Sequence, residues 1–148
     1  GDLNRAMLVT ILWRLAGEPS VNYTMPFTDV PDGVWYTEAV RWATSTGVVN
    51  GMTATTFAPM ESITRQQLVT MLYRYAQLKG YDTTQGGMAI REYGDFDAIA
   101  DWALTAMDWA VNAQLLNGRG NNMLVPEGTA TRAEAAKLLM AFCKTIVK

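Results

Sequence analysis

Three arginines stand where helices are expected to begin, and each is a candidate for binding an anion. Arg5, Arg65 and Arg132 each follow an asparagine or threonine that is suited to cap a helix. Free backbone N–H groups and the positive end of the helix dipole favour an anion there. A guanidinium adds two parallel hydrogen bonds to a carboxylate. The alternatives are that these arginines are exposed, or that they pair with a nearby carboxylate such as Asp29 or Asp95.

The composition excludes several kinds of chemistry. The 148 residues include no histidine and one cysteine, Cys143, and the net charge is −2. The chain therefore has no Ser-His-Asp or Cys-His centre, no histidine-based metal site and no internal disulfide. Its charge makes binding to nucleic acid unfavourable, and no apolar stretch is long enough for membrane insertion. We expect no cofactor.

A catalytic or calcium-binding role is also disfavoured. A glycosidase with two carboxylates needs no histidine, but no loop pairs Asp with Glu beyond the turn aspartates. The acidic residues between 95 and 108 do not follow the spacing of an EF-hand loop. We therefore expect no enzyme and no metal site.

The elements that carry the arginines recur along the chain. The segment at 35–43, with its two tryptophans, recurs 67 residues later at 102–110, and Thr64-Arg65 recurs at Thr131-Arg132. A partial copy, 4–14, matches 64–74 at an offset of 60. The predicted segments are the back half of a first repeat (1–17), a second repeat (26–79), a connector (80–92) and a third repeat (93–148).

Each full repeat reads as a turn, a helix, a loop and a second helix. Apolar residues at helical spacing, such as Ala39 and Trp42, mark the first helix, and Gly47 is expected to end it. Thr64 with Gln67 forms a capping-box pattern before the second helix, and the third repeat has the same pattern. The fold class is therefore mainly α, with stacked helix–loop–helix repeats that bury one another's apolar faces.

These landmarks resemble the S-layer homology (SLH) repeat. The resemblance rests on Phe27-Thr-Asp29-Val30, Trp35, Asn50-Gly51, Phe57-Ala-Pro59 and Ile63-Thr64-Arg65, and on Thr-Arg-Ala-Glu at 131–134. Gln66-Gln67 replaces Ala-Glu in the second repeat, and Leu124 replaces the aromatic residue before Pro126 in the third.

The resemblance implies a fold, a place and a partner. SLH repeats form a pseudo-threefold, mostly helical spindle and bind secondary polysaccharides of bacterial cell walls, often through a pyruvylated amino sugar. The expected function is non-covalent anchoring of a surface protein to the cell wall, outside the cell. A structural role in assembling protein copies of a surface layer is the alternative, and the incomplete first repeat favours self-association.

Besides Arg5, Arg65 and Arg132, the candidate ligand-binding residues come in three pairs. Trp35 and Trp102 either stack on a sugar face or pack in the core, whereas their neighbours seven residues on, Trp42 and Trp109, are expected in the core. Gly51 and Gly118 adopt a positive φ in a turn, let the backbone approach the ligand closely, or do both, since the two interpretations are compatible. Asp29 and Asp95 either brace a turn or contact sugar hydroxyls.

Overall fold

The chain is built from five α-helices and short helical turns, without β-strands. The computed structural model describes residues 1–148. The helices are α1 (Arg5–Leu15), α2 (Thr37–Thr46), α3 (Arg65–Leu78), α4 (Leu104–Asn112) and α5 (Arg132–Phe142). Short 3₁₀ turns span Ala89–Glu92, Phe96–Ala98 and Asp101–Ala103, and a π turn, Cys143–Val147, follows α5. The predicted mainly α fold is confirmed.

The helices begin and end where local chemistry places them. Asn4 Oδ1 accepts from the Met7 amide, and both capping boxes form, Thr64 with Gln67 and the equivalent pair before α5. Each box satisfies amides at the start of a helix that have no intrahelical acceptor. Gly47, with φ of 80°, ends α2 in the left-handed conformation.

The residues group into two compact units. An N-terminal unit comprises residues 3–62, and a C-terminal unit comprises residues 1–2 and 63–148. In the N-terminal unit α1 packs against α2, and in the C-terminal unit α3 packs against α4. The N-terminal unit therefore joins the back half of the first repeat to the front half of the second, and the C-terminal unit joins the back half of the second repeat to the whole third repeat.

Aromatic and aliphatic side chains fill the interior of each unit. In the C-terminal unit the rings of Trp109 and Phe142 lie 6.3 Å apart at 77°, and the ring of Tyr75 lies 6.3 Å from that of Phe142. The first pair is edge-on and the second is tilted, and both distances lie in the favourable range for aromatic pairs. In the N-terminal unit Leu8 and Leu12 of α1 are fully buried. No helix reaches the length and hydropathy that crossing a membrane requires.

Candidate functional site

Two of the three predicted arginines occupy equivalent sockets formed by backbone carbonyls. Arg5 Nε donates to Phe57 O at 2.8 Å and a terminal nitrogen donates to Asn50 O at 2.7 Å. Arg65 repeats this geometry with Leu124 O at 2.8 Å and Asn117 O at 2.7 Å. Both arginines are only 4% exposed. Each therefore fixes the ends of one loop, and burial lowers the pKa of both guanidinium groups.

The turn aspartates hold the same loops from the other side. Both carboxylate oxygens of Asp29 accept backbone N–H groups, from Phe57 and Ala58, at 2.8 Å each. Asp95 binds the amides of Leu124 and Val125 in the same way, also at 2.8 Å. The structure therefore places both aspartates as braces of a turn.

The braced loops contain residues in a strained conformation. Ala58 has φ of 58° and Val125 has φ of 53°. This left-handed region is unfavourable for any residue with a Cβ, and most so for a β-branched one. Such a backbone persists only where its surroundings determine it. The paired hydrogen bonds to each aspartate supply that constraint.

The two candidate glycines are tightly packed against neighbouring atoms and do not lie in a positive-φ turn. Neither Gly51 nor Gly118 has a positive φ, so the interpretation as a left-handed turn is wrong for both. A Cβ on Gly51 would lie 2.3 Å from Phe27 Cε1, and one on Gly118 would lie 2.6 Å from Met123 O. The loop folds back so tightly that no side chain fits.

The predicted tryptophans divide into an exposed and a buried pair. Trp35 and Trp102 are 54% and 56% exposed, while Trp42 and Trp109 are 3% and 1% exposed. The exposed pair lies outside the α-helices, because α2 begins at Thr37 and Trp102 belongs to the turn before α4. The buried pair lies on the helices themselves and fills the core, as expected.

The side chain of the third arginine does not occupy such a socket. Arg132 is exposed, and its side chain forms no hydrogen bond or ion pair. Only its backbone N–H is engaged, donating to Gly1 O at 2.9 Å, as the Arg65 N–H donates to Gly128 O at 2.8 Å. The sequence repeat thus places three arginines at equivalent positions, and the structure gives one of them a different environment.

A charged network joins the second and third repeats. Glu134 Oε2 accepts from Arg65 at 2.7 Å and from Arg119 Nε at 2.8 Å, and Oε1 accepts from Arg119 at 2.6 Å. The bonds from Arg119, with help from the Thr131 amide and the charge of Arg65, lower the pKa of the Glu134 carboxyl to about 2. Sequence reasoning missed Arg119. Its signal was a departure from the repeat, since Met52 stands at the equivalent position.

A cavity of about 120 Å³ opens beside this network. It brings together two predicted residues, Arg65 and Gly118, but not the tryptophans or aspartates. Asn117, Glu134 and Lys137 supply its other polar groups, and the remaining wall is apolar. A cavity of this size suits one substituent of a larger ligand, such as a carboxylate group.

A second cavity, of about 250 Å³, lies beside the connector. Its lining includes Arg91, Phe96 and Asp108, and none of the predicted residues. The Arg91 guanidinium lies 5.1 Å from the centre of the Phe96 ring, within the range of a cation–π contact. No group of acidic residues or cysteine in the chain is placed to hold a metal ion.

The repeated loop, with its arginine and its aspartate, lies in segments that match a known sequence family. The sequence model of the S-layer homology domain matches residues 26–69 and 92–136, together more than half of the chain. The chain belongs to the S-layer homology domain family. Membership places this SLH chain at the bacterial cell surface, in a class of non-catalytic anchoring modules, and the predicted surface localisation is confirmed.

Several larger proteins are similar to this SLH chain. The amylopullulanase of Thermoanaerobacterium thermosulfurigenes is 32% identical over 138 residues, which cover 93% of this chain and 7% of the enzyme. The surface-layer 125 kDa protein of Lysinibacillus sphaericus is 28% identical, over 95% of this chain and 11% of that protein. The cellulosome-anchoring protein of Acetivibrio thermocellus is 25% identical, over 93% of this chain and 31% of that protein. The chain thus spans less than a third of each relative, and its match to the enzyme is confined to a small part of it.

Proposed function

We propose that this SLH chain anchors a surface protein to the bacterial cell wall by binding an acidic secondary polysaccharide. Two relatives, named a surface-layer protein and a cellulosome-anchoring protein, support anchoring as the role of this shared segment. The observation that carries the choice of an acidic ligand is the cavity beside Arg65, Gly118 and Lys137. Its charged groups, with Arg119 bound to Glu134, sum to a net positive charge, which favours an anion.

Exposed aromatic rings supply the second element of a saccharide site. Trp102 belongs to the C-terminal unit, as the cavity does, and more than half of its surface is open. Sugar C–H groups pack on such a face while the indole N–H stays free to donate. Trp35 presents a ring of equal exposure in the N-terminal unit. In this proposal the rings hold neutral sugar faces, and the cavity holds the acidic substituent.

Sedimentation with purified cell-wall sacculi tests the proposal. The chain is expected to pellet with intact sacculi and to stay in solution after chemical removal of the secondary polysaccharide. A variant with exposed Lys79 replaced, Lys79→Ala, serves as the control because Lys79 lies away from the cavity lining. Equal pelleting with stripped and intact sacculi would point to another wall component, and no pelleting with either would overturn the proposal.

Assembly between copies of this chain is the second candidate, and the surface of α5 favours it. Ala133, Ala136 and Met140 form one exposed face, with Met140 61% exposed. The equivalent face of α3 is largely buried and packs against α4, with the rings of Tyr73 and Trp109 5.4 Å apart. Light scattering over a wide concentration range tests this alternative. A monomer at every concentration would exclude it, whereas dimers that Met140→Glu dissociates would support it.

A further inference from the structure

We propose that Lys137 on α5 binds the anionic group of the cell-wall ligand, and that Arg65 and Glu134, which is held by Arg119, build the wall of the cavity instead. This inference rests on the proposed function and names the residue that would set its preference for an acidic sugar. It also reverses the expectation that the arginine of the repeated motif makes the ligand contact. Of the two cations that line the cavity, Arg65 and Lys137, only Lys137 has a charged group that is not already bound.

All three nitrogens of the Arg65 guanidinium are engaged. Its Nε and one terminal nitrogen bind the carbonyls of Leu124 and Asn117, and its other terminal nitrogen binds Glu134. Its side chain is 5% exposed. A ligand carboxylate would have to displace a carbonyl or a carboxylate that already satisfies a buried charge, and leaving such groups unpaired is costly. Arg65 therefore positions the loop and Glu134.

Arg119 does not line the cavity and acts on it only through Glu134. Its Nε and one terminal nitrogen bind the two oxygens of Glu134, and the same terminal nitrogen also binds Thr129 O. Glu134 is thus held between two guanidinium groups, and its negative charge is balanced within the wall. An incoming anion meets no uncompensated carboxylate at this cavity.

Lys137 differs from both arginines. Lys137 lines the cavity and is exposed to solvent, and its side chain takes part in no ion pair or hydrogen bond. It follows Glu134 by three positions on α5, so the two side chains emerge from the same face of the helix. A lysine ammonium is a compact charge on a flexible stem with three donors, which can reach an anion in the cavity without breaking existing contacts.

The other two copies of the repeat carry no charge at this position. Thr70 stands there in α3 and Thr10 in α1, and both are buried. Thr70 Oγ1 donates to Gln66 O at 2.8 Å within its own helix. Lys137 is therefore a feature of the third repeat alone. Threonine is the replacement that restores the residue of the other copies.

The experiment compares the affinities of three variants for two forms of the ligand. Lys137→Thr removes the charge, Lys137→Arg keeps it, and Lys144→Thr removes an exposed charge outside the cavity lining. Affinity is measured by calorimetry for secondary polysaccharide released from sacculi, and for the same polysaccharide after reduction of its carboxyl groups. Thermal unfolding of each variant checks the fold, which an exposed position should leave unchanged.

The expected result is a loss specific to Lys137→Thr and to the acidic ligand. Affinity should fall about tenfold to a hundredfold, the range for a charge-assisted hydrogen bond. The residual binding should depend less on salt, while Lys137→Arg and Lys144→Thr should bind as the unaltered chain does. After carboxyl reduction, the unaltered chain and Lys137→Thr should bind equally.

Two outcomes overturn the inference, and they differ from failure of the proposed function. If the unaltered chain binds the polysaccharide and Lys137→Thr binds it equally well, Lys137 is not the contact. If Lys137→Thr loses the same factor with the carboxyl-reduced polysaccharide, the residue acts through shape and not through charge. If the unaltered chain binds neither form, the proposed function itself fails and this inference fails with it.

Discussion

Arg65 and Glu134 lie 69 positions apart in the sequence, yet a hydrogen bond of 2.7 Å joins their side chains. Arg65 is the first residue of α3, and Glu134 closes the capping box of α5. One carboxylate therefore completes a helix N-terminus and neutralises a buried cation of another helix. This double role ties the stability of the C-terminal unit to the charge of Glu134.

The stability of the C-terminal unit should fall in acid because of Glu134. Its carboxyl has a pKa of about 2 in the folded chain, against an ordinary value of 4.5. A pKa that folding lowers contributes stability above the unfolded value and loses it as the pH falls through the folded one. The contribution should be complete above about pH 4.5 and decline toward pH 2. Urea unfolding as a function of pH measures it.

Glu134→Gln isolates this contribution. Gln67 already serves as the capping-box partner in α3, so glutamine preserves the cap and removes only the charge. The variant should be less stable at neutral pH, with a flatter pH dependence below 4.5. Glu127→Gln is the control, because Glu127 is exposed and forms no ion pair. A Glu134→Gln curve parallel to that of the unaltered chain would contradict the assignment.

Replacement of the turn aspartates should release the strained loops. Asp29→Ala removes the acceptor of two backbone amides, with an expected loss of about 2 to 3 kcal/mol in the free energy of unfolding. In Asp29→Ala, hydrogen exchange at the amides of Phe57 and Ala58 should become faster, and the increase should be larger there than in the helices. Asp32→Ala is the matched control, because Asp32 is exposed and makes no side-chain hydrogen bond. Equal stability of the two variants would show that the brace contributes nothing.

Alanine should not be tolerated at the two loop glycines. In Gly51→Ala the new Cβ would lie 2.3 Å from Phe27 Cε1 and 2.5 Å from Thr53 O. Since backbone atoms cannot move away as a flexible side chain can, we expect a loss of about 1 to 3 kcal/mol. Chemical denaturation measures it, and Gly118→Ala should behave alike.

The control for the glycines is a position with open space. Gly33 has φ of 74° and no heavy atom within 4 Å of a built Cβ. Asparagine tolerates this conformation better than most residues, so Gly33→Asn should change stability only slightly. If Gly51→Ala proved as stable as Gly33→Asn, the close packing of the loop would not be a constraint.

The four tryptophans should separate stability from binding. Trp42→Ala and Trp109→Ala empty buried positions and should cost about 3 to 5 kcal/mol. Trp35→Ala and Trp102→Ala alter exposed rings and should change stability by less than about 1 kcal/mol. Thermal unfolding and sacculus pelleting are measured in parallel. A stable Trp102→Ala variant that pellets normally would remove this ring from the proposed saccharide site.

The sequence was sufficient for features that depend on local chemistry. The Asn4 cap, the capping box of Thr64 and the stop at Gly47 each need only a few neighbouring residues, so their patterns predicted the helix ends directly. The repeat offsets of 60 and 67 residues likewise placed Arg5, Arg65 and Arg132 at equivalent helix starts, which all three occupy, although the side chain of Arg132 has a different environment. The family resemblance then followed from the order of these landmarks.

Only the tertiary structure decided what the repeated residues do. The hydrogen bonds from Arg65 to the carbonyls of residues 117 and 124 depend on how distant loops fold back. The side-chain type alone does not decide whether a guanidinium binds a ligand or the backbone. The close approach at Gly51 belongs to the same class, because it arises from Phe27, 24 positions earlier. Lys137 stands where the other two copies of the repeat have threonine, and only the folded chain places its charge at a cavity.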